Sequence, residues 1–286
     1  MMTEPSPPKY HRVLLQIDAA THCQETVGAA IDITARLGGE LHGIFIEDAD
    51  LITVGEFDFI REFRLSSPTA HQLDRLTLKG QLRAMARSVQ RQLERAGSRR
   101  KVTVGFRSVR EDVWRNEGET LVDADLIIIE STNRLKSRGY RGQRSNRRAL
   151  ATMRPTLLLK GGGRLVPYVT VICDSVDAAD HGMRVARALL GASLKNITLL
   201  PYRVTERVYG EILNFEQEFS KSADQATEGS GRVHVAPLAA ESDNSIMSML
   251  APENGVVVLK TGGALMNNPT ELESLIISQH PLLFVQ

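Results

Sequence analysis

The stretch from Glu130 to Arg148 carries the residue types best suited to chemistry in this chain. An apolar run, DLIIIE, ends at Glu130, and the polar residues that follow include seven Lys or Arg and no Asp or Glu. In an α/β protein, the loop that leaves a strand and enters a helix is the usual phosphate site, because glycines there let backbone N–H groups approach an anion. The chemistry indicated is therefore anion binding.

The arginines of this loop could contribute to such a site directly. Arg138, Arg141, Arg144 and Arg147 recur at intervals of three residues, so a helix would place them on one slowly winding stripe. Guanidinium groups can bind an anion bidentately where glycine N–H groups are missing. The alternative is a solvated basic surface, which is what most charge runs form. Both interpretations stay open at this point.

Other arrangements of reactive residues do not form a recognisable site. His22 and Cys23 are neighbours whose side chains would point apart, and His181 has no matching ligand. Asp123 and Asp125 precede an apolar run and are typical of a loop that leads into a strand. The sequence contains no P-loop lysine motif, nucleophile elbow or zinc spacing. We therefore assign no catalytic residue and no metal site, and expect a protein that is not an enzyme.

Two sets of five apolar runs, in the same order, supply the elements that would position this loop. The first set is 11–18, 40–48, 101–107, 125–130 and 155–160, and the second is 167–174, 194–201, 232–238, 255–260 and 281–286. Runs that are almost continuously β-branched or leucine, separated by helical patterns, indicate parallel strands buried on both faces. The predicted fold class is α/β, with two tandem doubly wound five-stranded parallel sheets.

This repeat predicts the domain organisation. We expect a disordered N-terminus (1–10), a first domain (11–160), a linker containing GGGRL (161–166) and a second domain (167–286). In both halves the helix after the first strand ends at a glycine, as helices commonly do.

Two further segments lie between the second and third apolar runs of the first half, and the counterpart of the later one in the second half, 203–228, is shorter and more polar. Residues 70–97 predict a long helix whose apolar positions face the core, namely Leu73, Leu76, Leu82, Met85, Val89 and Leu93. The apolar segment 50–68 is interpreted as a loop or short helix that packs on the domain, with a partner surface as the alternative.

Composition sets limits on location and partners. The 286 residues are 42% hydrophobic and 24% charged with a net charge of +1, but residues 1–165 carry +7 and residues 166–286 carry −6. Two cysteines make no disulfide framework, residues 1–10 lack the apolar core of a signal peptide, and no apolar run is long enough to span a bilayer. We expect a cytoplasmic protein without membrane insertion. Nucleic acid is not an expected partner, because the basic loop offers only Tyr140 for stacking and the second half is acidic.

Segments spread along the first half carry a family resemblance. They are VLLQID (13–18), LHGIFIEDADL (41–51), FRSVREDV (106–113), DADLIIIE (123–130) and RPTLLLK (154–160). The second half adds PYVTVICDSVD (167–177) and GVVVLKTGGA (255–264). This pattern resembles the universal stress protein family, in which tandem forms are common. The resemblance implies strand order 3-2-1-4-5 in each half, pairing between the two fifth strands, and a ligand crevice where the strand order reverses.

The resemblance also identifies candidate ligand residues. ATP-binding members carry G-x-x-G, nine residues, then G-S or G-T after the fourth strand. Here Glu130 and Asn133 occupy the first two glycine positions, and Gly142–Gln143, which follows Asn133 after eight residues instead of nine, is assigned to the third, with Ser145 two residues after Gln143. The candidate crevice residues of the first half are Asp18, Ile46, Glu130, Asn133, Arg138, Arg141, Gly142, Gln143 and Ser145. Their equivalents in the second half, Asp174, Lys260, Gly262 and Gly263, are expected to be vestigial.

The resemblance and the degenerate motif together predict a function. We expect a regulatory or adaptor protein of the stress response that acts by binding protein partners of unknown identity, with weak or absent ATP binding and no assigned cofactor. The alternative is an ATP sensor that uses Asp18, the backbone near Ile46 and the arginine loop, and a slow ATPase ranks third. The fifth strands are expected to pair within the chain, and a homodimer is compatible with that arrangement.

Overall fold

The computed structural model describes residues 10–19, 23–47, 53, 61–63, 70–72, 75–110, 123–130, 154–160, 165–223, 231–238, 245–250 and 255–286. The strands are β1 (Arg12–Ile17), β2 (Glu40–Glu47), β3 (Arg61–Phe63), β4 (Ala70–Gln72), β5 (Val104–Arg110), β6 (Leu126–Glu130), β7 (Thr156–Leu159), β8 (Tyr168–Cys173), β9 (Asn196–Pro201), β10 (Arg232–Val235), β11 (Val256–Lys260) and β12 (Leu282–Val285). The helices are α1 (Cys23–Leu37), α2 (Arg75–Arg100), α3 (Val176–Leu190), α4 (Glu206–Ala223), α5 (Ile246–Met249) and α6 (Pro269–Ile277), with short 3₁₀ turns at Gly191–Ser193 and Ala264–Asn267.

One ten-stranded sheet runs through both halves, in the order β10-β9-β8-β11-β12-β7-β6-β1-β2-β5. Counted within each half, the strands lie third, second, first, fourth, fifth, as the resemblance implies. Pairing is parallel within each half, and the two fifth strands, β7 and β12, pair antiparallel. The predicted α/β class and the pairing of the fifth strands within the chain are confirmed. The predicted domain limits stay a prediction.

The sheet is buried because its strands carry apolar side chains on both faces. On one face Val13, Leu15 and Ile17 of β1 pack under α1, which contacts α2 on one side and α3 on the other. On the other face, Leu14 belongs to a second core that includes Leu275 of α6. Two separate cores on the two faces explain why these strands lack the alternating pattern of a half-exposed sheet.

Local signals set the ends of the helices. Ser175 caps α3 by accepting the Ala178 N–H at 3.2 Å, and Gly191 ends it at φ 52°. Gly38, at φ 67°, follows α1 in the same way. Both glycines have a positive φ, which costs a residue with a Cβ more than it costs glycine. The glycine stops predicted for these two helices are confirmed.

The long helix of the first half differs from its prediction. Residues 70–72 form β4, which pairs antiparallel with β3, and the helix then runs over Arg75–Arg100. Leu82, Val89 and Leu93 are buried as predicted, but Leu76 is 81% exposed and Met85 is 38% exposed. Buried residues that recur every three or four positions define one face of a helix with 3.6 residues per turn, and Leu76, two positions before Leu78, and Met85, one position before Ala86, break that spacing. Leu76 and Met85 therefore lie off the core face.

The segment 50–68 was predicted to be a loop or short helix, and the structure describes only part of it. Residues 61–63 form β3, the first strand of a small two-stranded ribbon, and this corrects the prediction for those residues. Phe57, Phe59 and Ile60 lie outside the described residues. Among the helices described, none is both long and apolar enough to cross a bilayer.

Candidate functional site

Each half of the sheet has one point where the strand order reverses. In the first half this point lies between β1 and β6, and in the second between β8 and β11. Ligands of open α/β sheets bind outside the carboxyl ends of the strands at such points. Asp18 and Asp174 directly follow β1 and β8, so both occupy the expected place, and both are half-buried.

In the second half, Asp174, the aspartate that follows the first strand, accepts a hydrogen bond from the chain's own backbone. The Asp174 carboxylate accepts the backbone N–H of Ala264 at 2.8 Å through Oδ2, and the Ser175 hydroxyl lies 3.3 Å from Oδ1. Ala264 begins the 3₁₀ turn that follows the TGGA segment. The loop after the fourth strand is therefore drawn onto the aspartate, in the position where a ligand would sit.

Both glycines of this loop have structural reasons to be glycine. Gly262 has φ 85°, which few other residues adopt without strain. Gly263 passes so close to Asp174 that an added Cβ would stand 3.2 Å from its Oδ2 and 3.2 Å from the Lys260 carbonyl oxygen. The glycine-rich appearance of TGGA is thus accounted for by a turn and a close approach, without a phosphate.

The remainder of the loop fills the crevice. Leu265 is 4% exposed, and the Asn268 amide donates to the Tyr202 hydroxyl at 3.0 Å. The Asn268 side chain also accepts the Glu271 N–H, so it caps α6, with Pro269 in the first turn. The space left between Asp174, Tyr202 and Leu265 is about 10 Å³. A volume of that size holds about one water molecule.

In the first half, a buried carboxylate occupies the position of the first motif glycine. Glu130 is 7% exposed at the end of β6, and the hydroxyl of Thr26 on α1 donates to its Oε2 at 2.7 Å. Leu126 and Ile128, which alternate with Glu130 along β6, belong to the core under α1. The Glu130 side chain therefore points toward α1. Ile46, near the end of β2, is 5% exposed.

The structure thus describes three of the candidate ligand residues of the first half, Asp18, Ile46 and Glu130. The other six, Asn133, Arg138, Arg141, Gly142, Gln143 and Ser145, lie outside the described residues. In the second half all four candidates are described, and Asp174 and Gly263 lie together in the closed loop. Because the basic loop, 134–148, lies outside the described residues, both interpretations of its arginines stay open.

A cleft that sequence reasoning missed lies at the opposite end of the first half's strands. It has a volume of about 320 Å³, and its lining includes Arg12, His42 and Gly105. An added Cβ on Gly105 would stand 2.7 Å from His42 Nδ1, so this glycine makes room for the imidazole. Only the register of β2 with β5 brings Gly105 beside His42, and nothing in the linear sequence indicates it.

The charged groups at this cleft pair with one another. Glu40 Oε1 lies 3.0 Å from His42 Nε2 and 3.1 Å from Arg12 Nε. The hydrogen bond from His42, followed by the one from Arg12, lowers the pKa of the exposed Glu40 carboxyl. Asp125 accepts the backbone N–H groups of His11 and Arg12, which agrees with its predicted place in a loop that leads into a strand. These contacts hold the start of β1 in register.

Two reactive side chains of the described chain that lie near the second reversal point have shifted pKa values. Burial, and secondarily the charge of Asp174, raises the pKa of the Cys173 thiol to about 12, so the thiolate that reacts as a nucleophile is scarce at neutral pH. Burial is also the main reason why the pKa of His181 is lowered. Within the described residues, no group of three or more His, Cys, Asp or Glu side chains is placed to hold a metal ion.

The class of protein follows from the sheet: a tandem, doubly wound α/β protein with a reversal point in each half. Among solved structures, a universal stress protein from Archaeoglobus fulgidus is similar over 96% of this chain and 98% of its own, with a TM-score of 0.58 and 15% identity. The chain therefore has the universal stress protein fold, and the resemblance read from the sequence is confirmed at that level.

Two further solved structures align less closely. A protein of the universal stress protein family from Burkholderia pseudomallei is 18% identical, with a TM-score of 0.34, over 53% of this chain and 96% of its own. A protein of unknown function from Pseudomonas aeruginosa is 11% identical, with a TM-score of 0.49, over 96% of this chain and 92% of its own. No protein-family model and no curated protein matches the sequence.

Proposed function

We propose that this chain is a regulatory or adaptor protein of the stress response, which acts by binding protein partners and binds ATP weakly or not at all. The observation that carries the proposal is the hydrogen bond between Asp174 Oδ2 and the Ala264 N–H. It joins the two segments that would have to separate to admit a nucleotide at the second reversal point. The sheet is intact, but the crevice of the second half is filled by the chain's own loop. This supports a function that depends on the protein's surface and not on a ligand bound in that crevice.

The chemistry of the loop supports weak phosphate binding in the second half. A phosphate at such a site needs backbone N–H groups that are free to donate and a helix N-terminus that points at it. The Ala264 N–H already donates to Asp174, and the Asn268 side chain already caps α6. A phosphate would have to displace a carboxylate that belongs to the chain, and the two negative charges would repel.

The first half supports the same proposal through Glu130. This carboxylate stands where ATP-binding members of the family place a glycine, and the hydrogen bond from Thr26 holds it there. A carboxylate about 4 Å from a phosphate oxygen costs roughly 1 to 4 kcal/mol in a solvated site. Glu130 also has a side chain at a position where the motif needs glycine, so that the backbone can approach the phosphate closely.

Ligand release from the purified protein tests the proposal. Protein isolated without added nucleotide is denatured, and any released small molecule is identified by mass spectrometry. We expect an empty chain, and no thermal shift with millimolar ATP. A nucleotide released at about one per chain would overturn the proposal of weak ATP binding.

An adenine-nucleotide sensor that uses the first half is the second candidate function. The observation that favours it is the reversal point between β1 and β6, where Asp18 lies beyond the end of β1. If this candidate is right, Arg138→Ala with Arg141→Ala weakens nucleotide binding, and Asp174→Ala leaves it intact. Equal losses from both halves would contradict it.

A further inference from the structure

Helix α2 carries a regular series of basic side chains that the crevices do not use. Its 26 residues include eight Lys or Arg and one Glu, which gives a net charge of +7. Six of the basic residues follow at intervals of four and are named here the arginine ridge: Lys79, Arg83, Arg87, Arg91, Arg95 and Arg99. Four helical residues rise about 6 Å, so the ridge is about 30 Å long.

The ridge lies on the side of α2 that faces solvent. The core side is formed by Leu78, Leu82, Ala86, Val89 and Leu93, all of them buried. From Arg83 to Arg99 every arginine of the ridge is exposed. Each step of four residues turns about 40° around the axis, so the ridge crosses the exposed face diagonally, with its middle opposite the core.

The ridge is not neutralised by the described part of the chain. Among the described residues, none makes a salt bridge or hydrogen bond with the side chain of Arg83, Arg87, Arg91, Arg95 or Arg99. The acid on the same helix, Glu94, accepts from the Gln90 amide at 2.9 Å. Asp32 of α1 pairs with Arg100, beside the ridge, at 2.9 Å. A run of like charges at spacing i, i+4 destabilises a helix, and a partner of opposite charge would relieve this repulsion along the ridge.

We propose that the arginine ridge of α2 binds the phosphate backbone of duplex nucleic acid without reading its sequence. Guanidinium groups bind phosphates bidentately, and the middle of the ridge, Arg87 to Arg95, places three of them within about 80° of one another on the exposed face of α2. A duplex with one charge per 1.7 Å presents many phosphates along about 30 Å. The ridge consists of other residues than the loop at 134–148, on which the expectation that nucleic acid is not a partner rests. It is also independent of the proposed adaptor function.

Two observations favour a duplex over other polyanions. Helix α2 contains no Phe, Tyr or Trp, and binding of single strands relies on aromatic side chains that stack with bases. Its apolar side is already packed in the core, so α2 has no apolar face left to insert into a membrane interface. Leu76 and Met85, the exposed apolar residues on this helix, are nine positions apart and do not form a continuous patch.

Binding is measured by fluorescence anisotropy with the full chain and labelled DNA and RNA duplexes of about 20 base pairs, long enough to span the ridge. The variant Arg87→Gln/Arg91→Gln/Arg95→Gln removes the middle of the ridge. We expect its Kd for duplex to rise at least about tenfold near 0.1 M salt, and the slope of log K against log salt to flatten by about three, one for each lost phosphate contact.

A matched variant, Lys195→Gln/Lys221→Gln/Arg232→Gln, removes the same charge from exposed positions of the second half. Circular dichroism and thermal melting establish that both variants are folded. The proposal stands if the ridge variant alone loses duplex binding. It fails if the wild type does not bind a duplex, or if both variants weaken binding equally.

Two other possible partners of the arginine ridge, a membrane and a second copy of the chain, are distinguished from a duplex by parallel measurements. Tighter binding of the wild type to anionic phosphatidylserine vesicles than to duplex would overturn the proposal in favour of a membrane. Self-association that is lost in the ridge variant, with no duplex binding by the wild type, would overturn it in favour of a second copy whose acidic half covers the ridge.

Discussion

Asp174 and Ala264 lie 90 residues apart in the sequence and are joined by a hydrogen bond of 2.8 Å between the carboxylate Oδ2 and the backbone N–H. The bond brings the end of β8 and the loop after β11 together at the reversal point of the second half. It also turns a predicted ligand residue into a structural one.

Replacing Asp174 with alanine therefore tests stability more than ligand binding. The Ala264 N–H would lose its acceptor in a half-buried loop, and an unsatisfied donor of this kind costs about 1 to 3 kcal/mol. We expect Asp174→Ala to lower the free energy of unfolding by about that amount in urea titrations. Glu273→Ala, an exposed carboxylate on α6, is the control and should change it by less than about 0.5 kcal/mol. Equal effects would show that the bond to Ala264 does not stabilise the loop.

The bond between Thr26 and Glu130 gives a prediction for the first half. Thr26→Val keeps the shape of the side chain and removes the donor to a buried carboxylate, so we expect a loss of about 1.5 to 3 kcal/mol. Thr34→Val is the matched control on the same helix, because the buried Thr34 hydroxyl donates to the neutral Ala30 carbonyl at 2.7 Å. Its loss should be clearly smaller. The free energy of unfolding of both variants is measured by chemical denaturation. Equal losses would show that the hydrogen bond from Thr26 to Glu130 is no stronger than the one from Thr34 to a neutral carbonyl.

Lys160 links the two halves and should make stability depend on pH. It is buried after β7, its Nζ donates to the Ile276 carbonyl at the end of α6, and burial lowers its pKa to about 8. An unfolded lysine has a pKa of about 10.4, so between these values the unfolded chain binds more protons than the folded chain. The contribution of Lys160 to folding stability therefore rises as pH increases from about 8 to 10, by up to about 3 kcal/mol.

Comparison with Lys160→Met isolates this effect. Cys173 and Tyr10 both have a pKa raised to about 12, so their stabilising effect is lost at high pH in the wild type and in the variant alike. We expect the stability difference between the two proteins to shift in favour of the wild type between pH 7.5 and 10. A difference that stays constant in urea titrations across this range would contradict the assignment to Lys160.

The pairing of β7 with β12 makes the two halves one cooperative sheet. Phe284 pairs with Thr156 across this junction and is fully buried. Phe284→Ala should cost about 3 to 5 kcal/mol, as large-to-small changes in a core do. Ile277→Ala, at a position 41% exposed, is the control and should cost much less. If calorimetry of Phe284→Ala showed the stability of the wild type, this junction would not belong to the core.

If the arginine ridge binds duplex nucleic acid, a substitution that reduces its charge repulsion should raise the stability of the protein and weaken duplex binding. Arg91→Glu replaces two repulsive i, i+4 contacts, with Arg87 and Arg95, by two attractive ones, each worth about 0.2 to 0.5 kcal/mol. We expect thermal unfolding of the variant at a slightly higher temperature, and weaker duplex binding. Arg91→Lys, which keeps the charge, should leave the melting temperature nearly unchanged. A destabilised Arg91→Glu would mean that the ridge is neutralised within the chain.

The fold could be read from the sequence because its signals are local. Five apolar runs recur in the same order in both halves, and each corresponds to a strand whose ends differ by at most three residues from the run. The glycine stops at Gly38 and Gly191 and the Asn268–Pro269 helix start are equally local. The long helix was predicted less well, since Leu76 and Met85 are apolar residues that lie off its core face and are exposed.

The basic spacing of α2 was also present in the sequence, in the repeat of Lys or Arg every four residues. A search for apolar positions alone does not detect it. The fact that this series faces solvent depends on which side of α2 packs against the sheet and α1, and that is a property of the packed structure.

The sequence by itself determined the succession of strands along the chain, the helix ends at Gly38 and Gly191 and the loss of the family's glycines, because these depend on residues close together in the chain. The order of the strands within the sheet was implied by the family resemblance, and it depends on pairing between distant segments. Only the tertiary structure decided that Asp174 binds Ala264, that Glu130 is held by Thr26 and that Lys160 reaches Ile276. Each of those contacts joins residues at least 90 positions apart, and their partners are set by strand register and helix packing. The type of a residue determines whether it can donate or accept a hydrogen bond, whereas the fold determines which group it bonds to.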